Sequence, residues 1–527
     1  QLQGLREQGK SETNLQRYLR ENREIAAEEA KGFWAAGTGD LPGWKLAIDL
    51  ADLIERVGKT IEEAKQTKTA SDMVAAYSSV WYQIDQAHWR LLTAAHRAEE
   101  TELLAAIADR FYTKYLDEVG RAFYETFRQS GTWPPEGCKS VDELVADLYA
   151  DSTKRRAILA VDALRFDLAA ELLQRLGEGI LEAYVANVPS ETYVGMTSLL
   201  PRVDVRLEVG DGTLRLYSEA AGGDLCMRSY RWKVLEAAGA APLGKDKSGT
   251  RYDEIRHLFE MTEPPKDLPP ILVLFDRSID QIGHNTGHQV AHHFEELLVD
   301  LERAIRRLKT WGYDEIHVVT DHGFIALHSA ADIQLLEAQK DRFTVLRARS
   351  GLLKRGELVN TATVPFRLDP SWSVALPPGL RSFSQPGTFF HGGATLQEVV
   401  VPHLQFETAP TRSRMRVRAV LPKVEIHTLA VKVELVPEPP TMTGLYEDRI
   451  EGVRVKVFLG TPDAPRSVSQ PVVEIGADCK EPIPVTLFLE REPPIPAGTE
   501  IPVQVIDVDT GESYATGLFV RAARDLG

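Results

Sequence analysis

Three apolar runs in the middle of this chain each end in an acid, and that pattern constrains the fold more than any other feature. AILAV at 157–161 runs into Asp162, ILVLF at 271–275 into Asp276, and HVVT at 317–320 into Asp321. Short runs rich in aliphatic and β-branched residues predict strands buried on both faces. Helix-patterned segments lie between them: DLAAELLQRL follows the first run, and HHFEELLVDLERAIRRLKTW follows the second after a loop. Strands alternating with amphipathic helices predict a parallel or mixed sheet covered by helices, an α/β core across residues 151–410. Ligands of such sheets bind beyond the carboxyl ends of the strands, where all three acids fall.

At 527 residues the chain is longer than one hydrophobic core supports, and its flanks differ from its centre. In residues 1–150, Leu104, Ile107, Phe111, Tyr115, Val119 and Phe123 recur at three- and four-residue steps, which places them on one helical face. This predicts an N-terminal helical domain that packs on the next domain or on a partner and carries no chemistry. Within the centre, residues 203–268 interrupt the alternation with a small β pattern (VDVRLEV, GTLRLYS) and a turn-rich LGKDKSGT. They read as a cap or insertion near the site. Residues 411–527 switch to strict alternation: Met415, Val417 and Ala419 interleave with Arg414, Arg416 and Arg418, and Val431, Val433 and Leu435 repeat the pattern. Period-two segments separated by turns such as PEPPTMTG predict an antiparallel, immunoglobulin-like β-sandwich with a binding or spacing role.

Composition narrows the chemistry. The formal charge of −16 argues against tight, non-specific binding of a nucleic-acid backbone by this chain alone. Bound metal ions would still make a local site cationic enough for a phosphodiester. The three cysteines, Cys138, Cys226 and Cys479, are too far apart for a zinc ribbon or redox motif. A metal must therefore be held mainly by Asp and His, and a reducing, cytoplasmic setting is expected. No apolar run reaches the length of a membrane span. The opening QLQGLREQGK lacks the pattern of a secretion signal, and its Gln1 in place of Met fits a fragment or processed chain.

Four segments supply metal-type ligands: VDALRFD with Asp162, FDRSIDQIGH with Asp280 and His284, TDHGF with Asp321 and His322, and FFHGGATLQE with His391. Asp and His are the ligands of a hydrolytic zinc or manganese site that lacks thiolates. Two such metals about 4 Å apart clamp a phosphoryl group between its attacking and leaving oxygens. Singly, each segment has a plainer meaning: an Asp at a strand end is often a helix cap, and adjacent Asp-His arises by chance. Their order, each in strand-loop context, is what points to a two-metal phosphoesterase. A nucleophile is offered by VPSETYVGMTSLLP, where Thr192 precedes a helix-like run. A hydroxyl there sits in a partial positive field that favours an alkoxide. Thr197 and Ser198 are rivals inside the helix.

In this order the residues resemble a known group. Asp162, the PxxT of Pro189–Thr192, the DxxGH of Asp280 and His284, Asp321-His322-Gly323 and His391 follow the motif order of the alkaline phosphatase superfamily. VDALRFDLA, PSETYVGM, VTDHGF and HGGATLQEVVVP look, more closely, like the PglZ family, over about half of the chain. The resemblance implies an alkaline-phosphatase-like fold with two divalent metal ions, zinc first, with manganese or magnesium as alternatives. It implies one metal on Asp162, Thr192, Asp321 and His322, and another on Asp280, His284 and His391. Thr192 would attack phosphorus to form a phosphothreonine, and metal-activated water would hydrolyse it. It also implies a place in a bacteriophage-exclusion (BREX) defence system, beside a DNA methyltransferase and an ATPase, with a phosphodiester or nucleotide as substrate. Arg165 in the first motif either contacts phosphate as a bidentate donor or pairs with Asp167. Asp276 is an alternative to Asp280. His288, His292 and His293 read as helix surface or outer support.

Two other functions compete. A non-catalytic scaffold of the defence complex would keep the metals for structure and use the helical and sandwich regions as docking surfaces. A sulfatase or phosphomutase of the same superfamily fits poorly. Cys226 in LCMRS and Cys138 in GCKSV do not lie in a CxPxR-like sequence, and only Ser190 would supply a serine nucleophile.

Overall fold

The computed structural model describes residues 43–526, apart from 97–101, 151–153, 202–203, 211–212, 246–247, 332, 338–339, 356–360, 409–412, 439–449, 462–463, 469–471, 477, 491–492 and 516. Residues 1–42 of the expected helical region and most of PEPPTMTG lie outside the described residues.

A six-stranded sheet lies at the centre. Its strands are β1 (Arg156–Val161), β2 (Ile180–Val185), β3 (Ala240–Ala241), β4 (Ile271–Asp276), β5 (Glu315–Thr320) and β6 (Val400–Glu407), in the spatial order β2-β6-β5-β1-β4-β3. Strands β1, β3, β4 and β5 run parallel. Strand β6 runs antiparallel to both β5 and β2, which makes the sheet mixed.

Register builds the edge that matters. Val161 pairs with Asp276 on one side and with Thr320 on the other, so Asp162, Asp276 and Asp321 leave the sheet at one level. The Asp162 N–H donates to the Asp276 carbonyl at 2.8 Å. Because β6 runs the other way, its start at Val400 falls at the same edge, opposite Val185 at the end of β2. The segment carrying His391 thus enters where the other strands leave.

Along β1 the side chains alternate between two cores: Ile158 and Ala160 on one face, Ala157, Leu159 and Val161 on the other. Helices Gly43–Gln66, Tyr82–His96 and Glu102–Ser130 contribute to the first core. Helices Phe166–Leu176 and Phe294–Thr310 contribute to the second. The stripe of Leu104, Ile107, Phe111, Tyr115, Val119 and Phe123 is buried along Glu102–Ser130. The N-terminal helices therefore share a core with the sheet. Residues 203–268 include three short antiparallel strands and the helix Arg228–Ala237, then supply β3, which joins the central sheet beside β4.

Further sheets follow in the C-terminal region. One has three strands and includes Ala430–Glu438, and another has six and includes Val453–Thr461 and Glu500–Asp507. Val417, Ala419, Val431, Val433 and Leu435 meet Val455, Val457, Val503 and Val505 in one core. That is the packing the alternation calls for. No helix among the described residues is long and apolar enough to cross a membrane.

Candidate metal centre

The turn after β1 is tied to the loop after β5. Ala163 takes a left-handed conformation (φ 63°), its N–H donates to Asp321 Oδ1 at 3.1 Å, and the Leu164 N–H donates to Thr320 Oγ1 at 2.9 Å. Asp162 and Asp321 are each only 2% exposed. Asp280 and His284 lie one turn apart on the helix Ser278–Thr286, and that spacing puts them on one face, with Asp280 Oδ1 3.3 Å from His284 Nε2. His391 follows the short strand Phe389–Phe390. Thr192 opens the helix Thr192–Ser198. That helix is seven residues long, so the positive field expected at its start is weak.

All seven sequence-predicted ligands converge. Thr192 Oγ1 lies 3.1 Å from His322 Nε2 and 3.4 Å from Asp162 Oδ1. His322 Nε2 is 3.4 Å from Asp321 Oδ2 and 3.6 Å from Asp162 Oδ1. His391 Nε2 is 3.2 Å from His284 Nε2 and 3.5 Å from Asp280 Oδ1. The His322 and His391 rings stack with centroids 4.2 Å apart.

Backbone carbonyls set the tautomers. His322 Nδ1 faces the Gly323 carbonyl at 2.9 Å, and His391 Nδ1 faces the Ser190 carbonyl at 2.8 Å. A carbonyl only accepts, so each Nδ1 carries the proton and each Nε2 turns its lone pair inward. This is how ligating histidines are oriented.

The residues fit divalent cations. Ligand atoms of Asp280, His284 and His391 lie within 4.8 Å of one another, as do those of Asp162, Asp280 and His322. Asp280 belongs to both groups. Among the described residues, Asp280 Oδ1 and Asp321 Oδ2 are buried with only the histidine Nε2 atoms at 3.3–3.5 Å for company, an expensive state for a carboxylate oxygen unless a cation neighbours it.

Electrostatics agree. Burial, then the charges of Asp321 and Asp280, push the Asp162 carboxyl well above its ordinary range. Burial pushes Asp321 up to about 7. Burial pulls His322 well down, which keeps it neutral. At Asp280 burial works upward, but His284, His391 and His322 outweigh it and hold the carboxyl low. Crowded carboxylates that resist ionising together are what a bound cation relieves.

Close packing leaves room for little else. A Cβ on Gly195 would meet the Asp321 Cβ and carbonyl oxygen at 2.5 Å, so only glycine lets the Thr192 helix lie against the Asp321 loop. Ser190 Oγ donates to the Gly393 carbonyl at 2.8 Å and accepts from the Gly392 N–H at 2.9 Å, which pins the His391 loop to the Thr192 loop.

Arg165 departs from the phosphate-contact expectation. It is 2% exposed, its Nε and Nη2 donate to Asp167 at 2.5 and 2.8 Å, and its guanidinium covers the Phe324 ring. The pairing with Asp167 turns it inward because a buried guanidinium needs its carboxylate. The cation that the sequence did not single out is Arg231, on the cap helix Arg228–Ala237. Burial lowers its pKa while the charges of Asp321 and Asp162 raise it, which places it within electrostatic reach of the centre. Its Nε is buried without a hydrogen-bond partner among the described residues. No ligand motif surrounds it in sequence, so only the packing of the cap reveals it. Asp276 is occupied elsewhere: its Oδ1 accepts from the Ser278 N–H at 2.7 Å. Thr197 and Ser198 donate to the carbonyls of Tyr193 and Val194 within their helix, at 2.7 and 2.9 Å. His288, His292 and His293 lie on the 3₁₀ helix Gly287–His293, and His288 packs on His328.

Residues 141–406 match the sequence profile of the BREX system PglZ alkaline phosphatase-like domain, a segment that is half of the chain. The chain belongs to the PglZ family. It is 23% identical over 494 residues to the alkaline phosphatase-like protein PglZ of Bacillus cereus (strain H3081.97), covering 87% of this chain and 55% of that one. It is 24% identical over 440 residues to the alkaline phosphatase-like protein BrxZ of Escherichia coli O9:H4 (strain HS), covering 72% of this chain and 47% of that one. The chain thus spans about half the length of these relatives. A solved structure of murine ectonucleotide pyrophosphatase/phosphodiesterase 5, an inactive variant in complex with AMP, is a distant likeness. It has 11% identity and a TM-score of 0.33, over 48% of this chain and 87% of that one.

Proposed function

We propose that this PglZ-family chain is a metal-dependent phosphoric ester hydrolase, a phosphodiesterase or phosphatase with Thr192 as nucleophile, acting within a BREX antiphage system. One observation carries the reading: Thr192 Oγ1 opens onto the Asp–His cluster, 3.1 Å from His322 Nε2 and 3.4 Å from Asp162 Oδ1. Two divalent ions, zinc first and manganese or magnesium as alternatives, would be held by Asp162, Thr192, Asp321 and His322, and by Asp280, His284 and His391; they would supply the charge that acidifies the hydroxyl and neutralises the phosphoryl oxygens. The chain's own part is placement. Gly195 lets the helix bring Thr192 against the Asp321 loop, and the Ser190 clasp fixes His391 beside it. Thr192 Oγ1 bonds to phosphorus as the bond to the leaving oxygen breaks, and water then cleaves the phosphothreonine. Arg231 replaces Arg165 as the side chain that would bind a phosphoryl oxygen.

The domain named by the matching profile belongs to BREX systems, which supports partners among other BREX components, including a methyltransferase and an ATPase. The test uses bis-para-nitrophenyl phosphate with zinc or manganese, on the protein and on Thr192→Ala. Metal-dependent turnover that falls at least about a thousandfold in the variant supports the reading. Turnover that survives moves the nucleophile. Two bound metals without turnover in either protein favour the scaffold.

A further inference from the structure

The four-residue helix Leu396–Val399 stands between two ligand-bearing loops. On one side the Glu398 carbonyl accepts from the Gly323 N–H at 2.9 Å. The Gln397 carbonyl lies so close to Gly323 that a Cβ there would meet it at 2.1 Å. On the other side the Glu398 carboxylate accepts from the N–H groups of Gly393 and Thr395, at 2.8 and 3.0 Å. The position of this helix therefore sets His322 and His391 relative to one another.

Two side chains anchor the helix from behind. Glu398 is clamped by Arg349 at 3.2 and 2.6 Å. Gln397 reaches the other way, into the N-terminal helices: its Nε2 donates to Asp85 Oδ1 at 3.2 Å and to the Tyr115 hydroxyl at 3.2 Å. Asp85 is fully buried and also accepts from the hydroxyls of Tyr112 and Tyr77, at 2.7 and 2.9 Å. The same layer holds the start of the helix Phe166–Leu176, where Gln86 Nε2 donates to the Asp167 carbonyl at 2.9 Å and Arg165 Nη1 to the Tyr112 hydroxyl at 3.5 Å. A carboxylate with no exposure is costly to keep, and a satisfied buried network specifies one packing.

We propose that Asp85 and Gln397 are positioning residues of the metal centre, so that the N-terminal helical layer holds the His322 and His391 loops at ligand separation. This rests on the two-metal reading of the site. Neither residue touches a ligand atom; both act through the helix Leu396–Val399.

The test measures zinc affinity by competition with a chromophoric chelator, and the absorption spectrum of the cobalt-loaded protein. The proteins are the whole chain, Gln397→Ala, Asp85→Asn, the double variant, and Tyr77→Phe, which removes a hydrogen bond to Asp85 that does not reach the loops. Gln397→Ala and Asp85→Asn should each weaken zinc by about ten- to a hundredfold and shift the cobalt spectrum. The double variant should lose no more than the worse single one. Tyr77→Phe should lower the unfolding midpoint and leave zinc affinity alone. Should Asp85→Asn fail to fold, Gln397→Ala carries the test, since it leaves Asp85 its two tyrosine donors. Unchanged affinity and spectra, additive losses, or a zinc loss in Tyr77→Phe equal to that in Gln397→Ala would each overturn the proposal. A starting protein that takes up neither metal overturns the metal-centre reading and this inference together; bound metal with unaltered variants overturns this inference alone.

Discussion

The Nε2 atoms of His284 and His391 stand 3.2 Å apart, and the His391 atom presents a lone pair because its Nδ1–H goes to the Ser190 carbonyl. Only a proton on His284 or a cation shared by both rings makes that approach favourable. Asp280 Oδ1, buried 3.3 Å from His284 Nε2 and 3.5 Å from His391 Nε2, faces the same space. Chelation should therefore lower the unfolding temperature reversibly. At free zinc a hundredfold above Kd the stabilisation is about 2.7 kcal/mol. Calorimetry with chelator and after zinc addition checks this; identical curves would contradict it.

Arg231 and Arg165 should fail in opposite ways. Arg231→Ala removes a buried cation, whose Nε has no hydrogen-bond partner among the described residues, from within reach of the Asp321 and Asp162 charges, and should lower kcat/KM by about a hundredfold with little change in unfolding midpoint. Arg165→Ala strands the buried Asp167 carboxylate and should destabilise the fold by about 3–5 kcal/mol. Urea unfolding of both variants beside their kinetics separates the roles, and matching profiles would refute the assignment.

Gly195→Ala tests the contact between helix and loop. The added methyl meets Asp321 atoms at 2.5 Å, so the Thr192 helix must back away. Overpacking of this kind costs about 1–3 kcal/mol. Misplacement of the hydroxyl should reduce turnover by about a hundredfold, more than the stability change would predict. Full activity in the folded variant would show that the spacing is not critical.

Acid stability should report the buried pair His317 and His403, on neighbouring strands with Nδ1 and Nε2 3.0 Å apart. Burial pulls each histidine down to about 4, from 6.5 in the unfolded chain. Between those values the unfolded chain binds protons that the folded chain refuses, so stability rises with pH there. Their contribution is complete above about pH 6.5 and is lost as pH falls toward 4, by on the order of 1 kcal/mol per pH unit per histidine. Unfolding midpoints at pH 7.5, 6 and 5, with chelator present to remove metal effects, check the slope. A His317→Asn, His403→Asn double variant should flatten it.

The sequence by itself determined the elements and the order of the ligand segments. Hydrophobic periodicity is local, so AILAV, ILVLF and HVVT announce strands, and Leu104 through Phe123 announce a helix, without knowledge of their partners. Asp280 and His284 were legible as ligand types through the DxxGH pattern, read as part of a loop; only the structure puts them on the helix Ser278–Thr286, where a four-residue step fixes a shared face. Tertiary structure alone decided what depends on distant neighbours. It turned Arg165 inward onto Asp167 and brought Arg231 from the cap toward Asp162 and Asp321. It ran β6 antiparallel, so that His391 enters at the edge where Asp162 leaves. It joined Asp85 to Gln397 across 312 residues. A side chain's partner is set by register and packing between segments, and no periodicity within one segment encodes that choice.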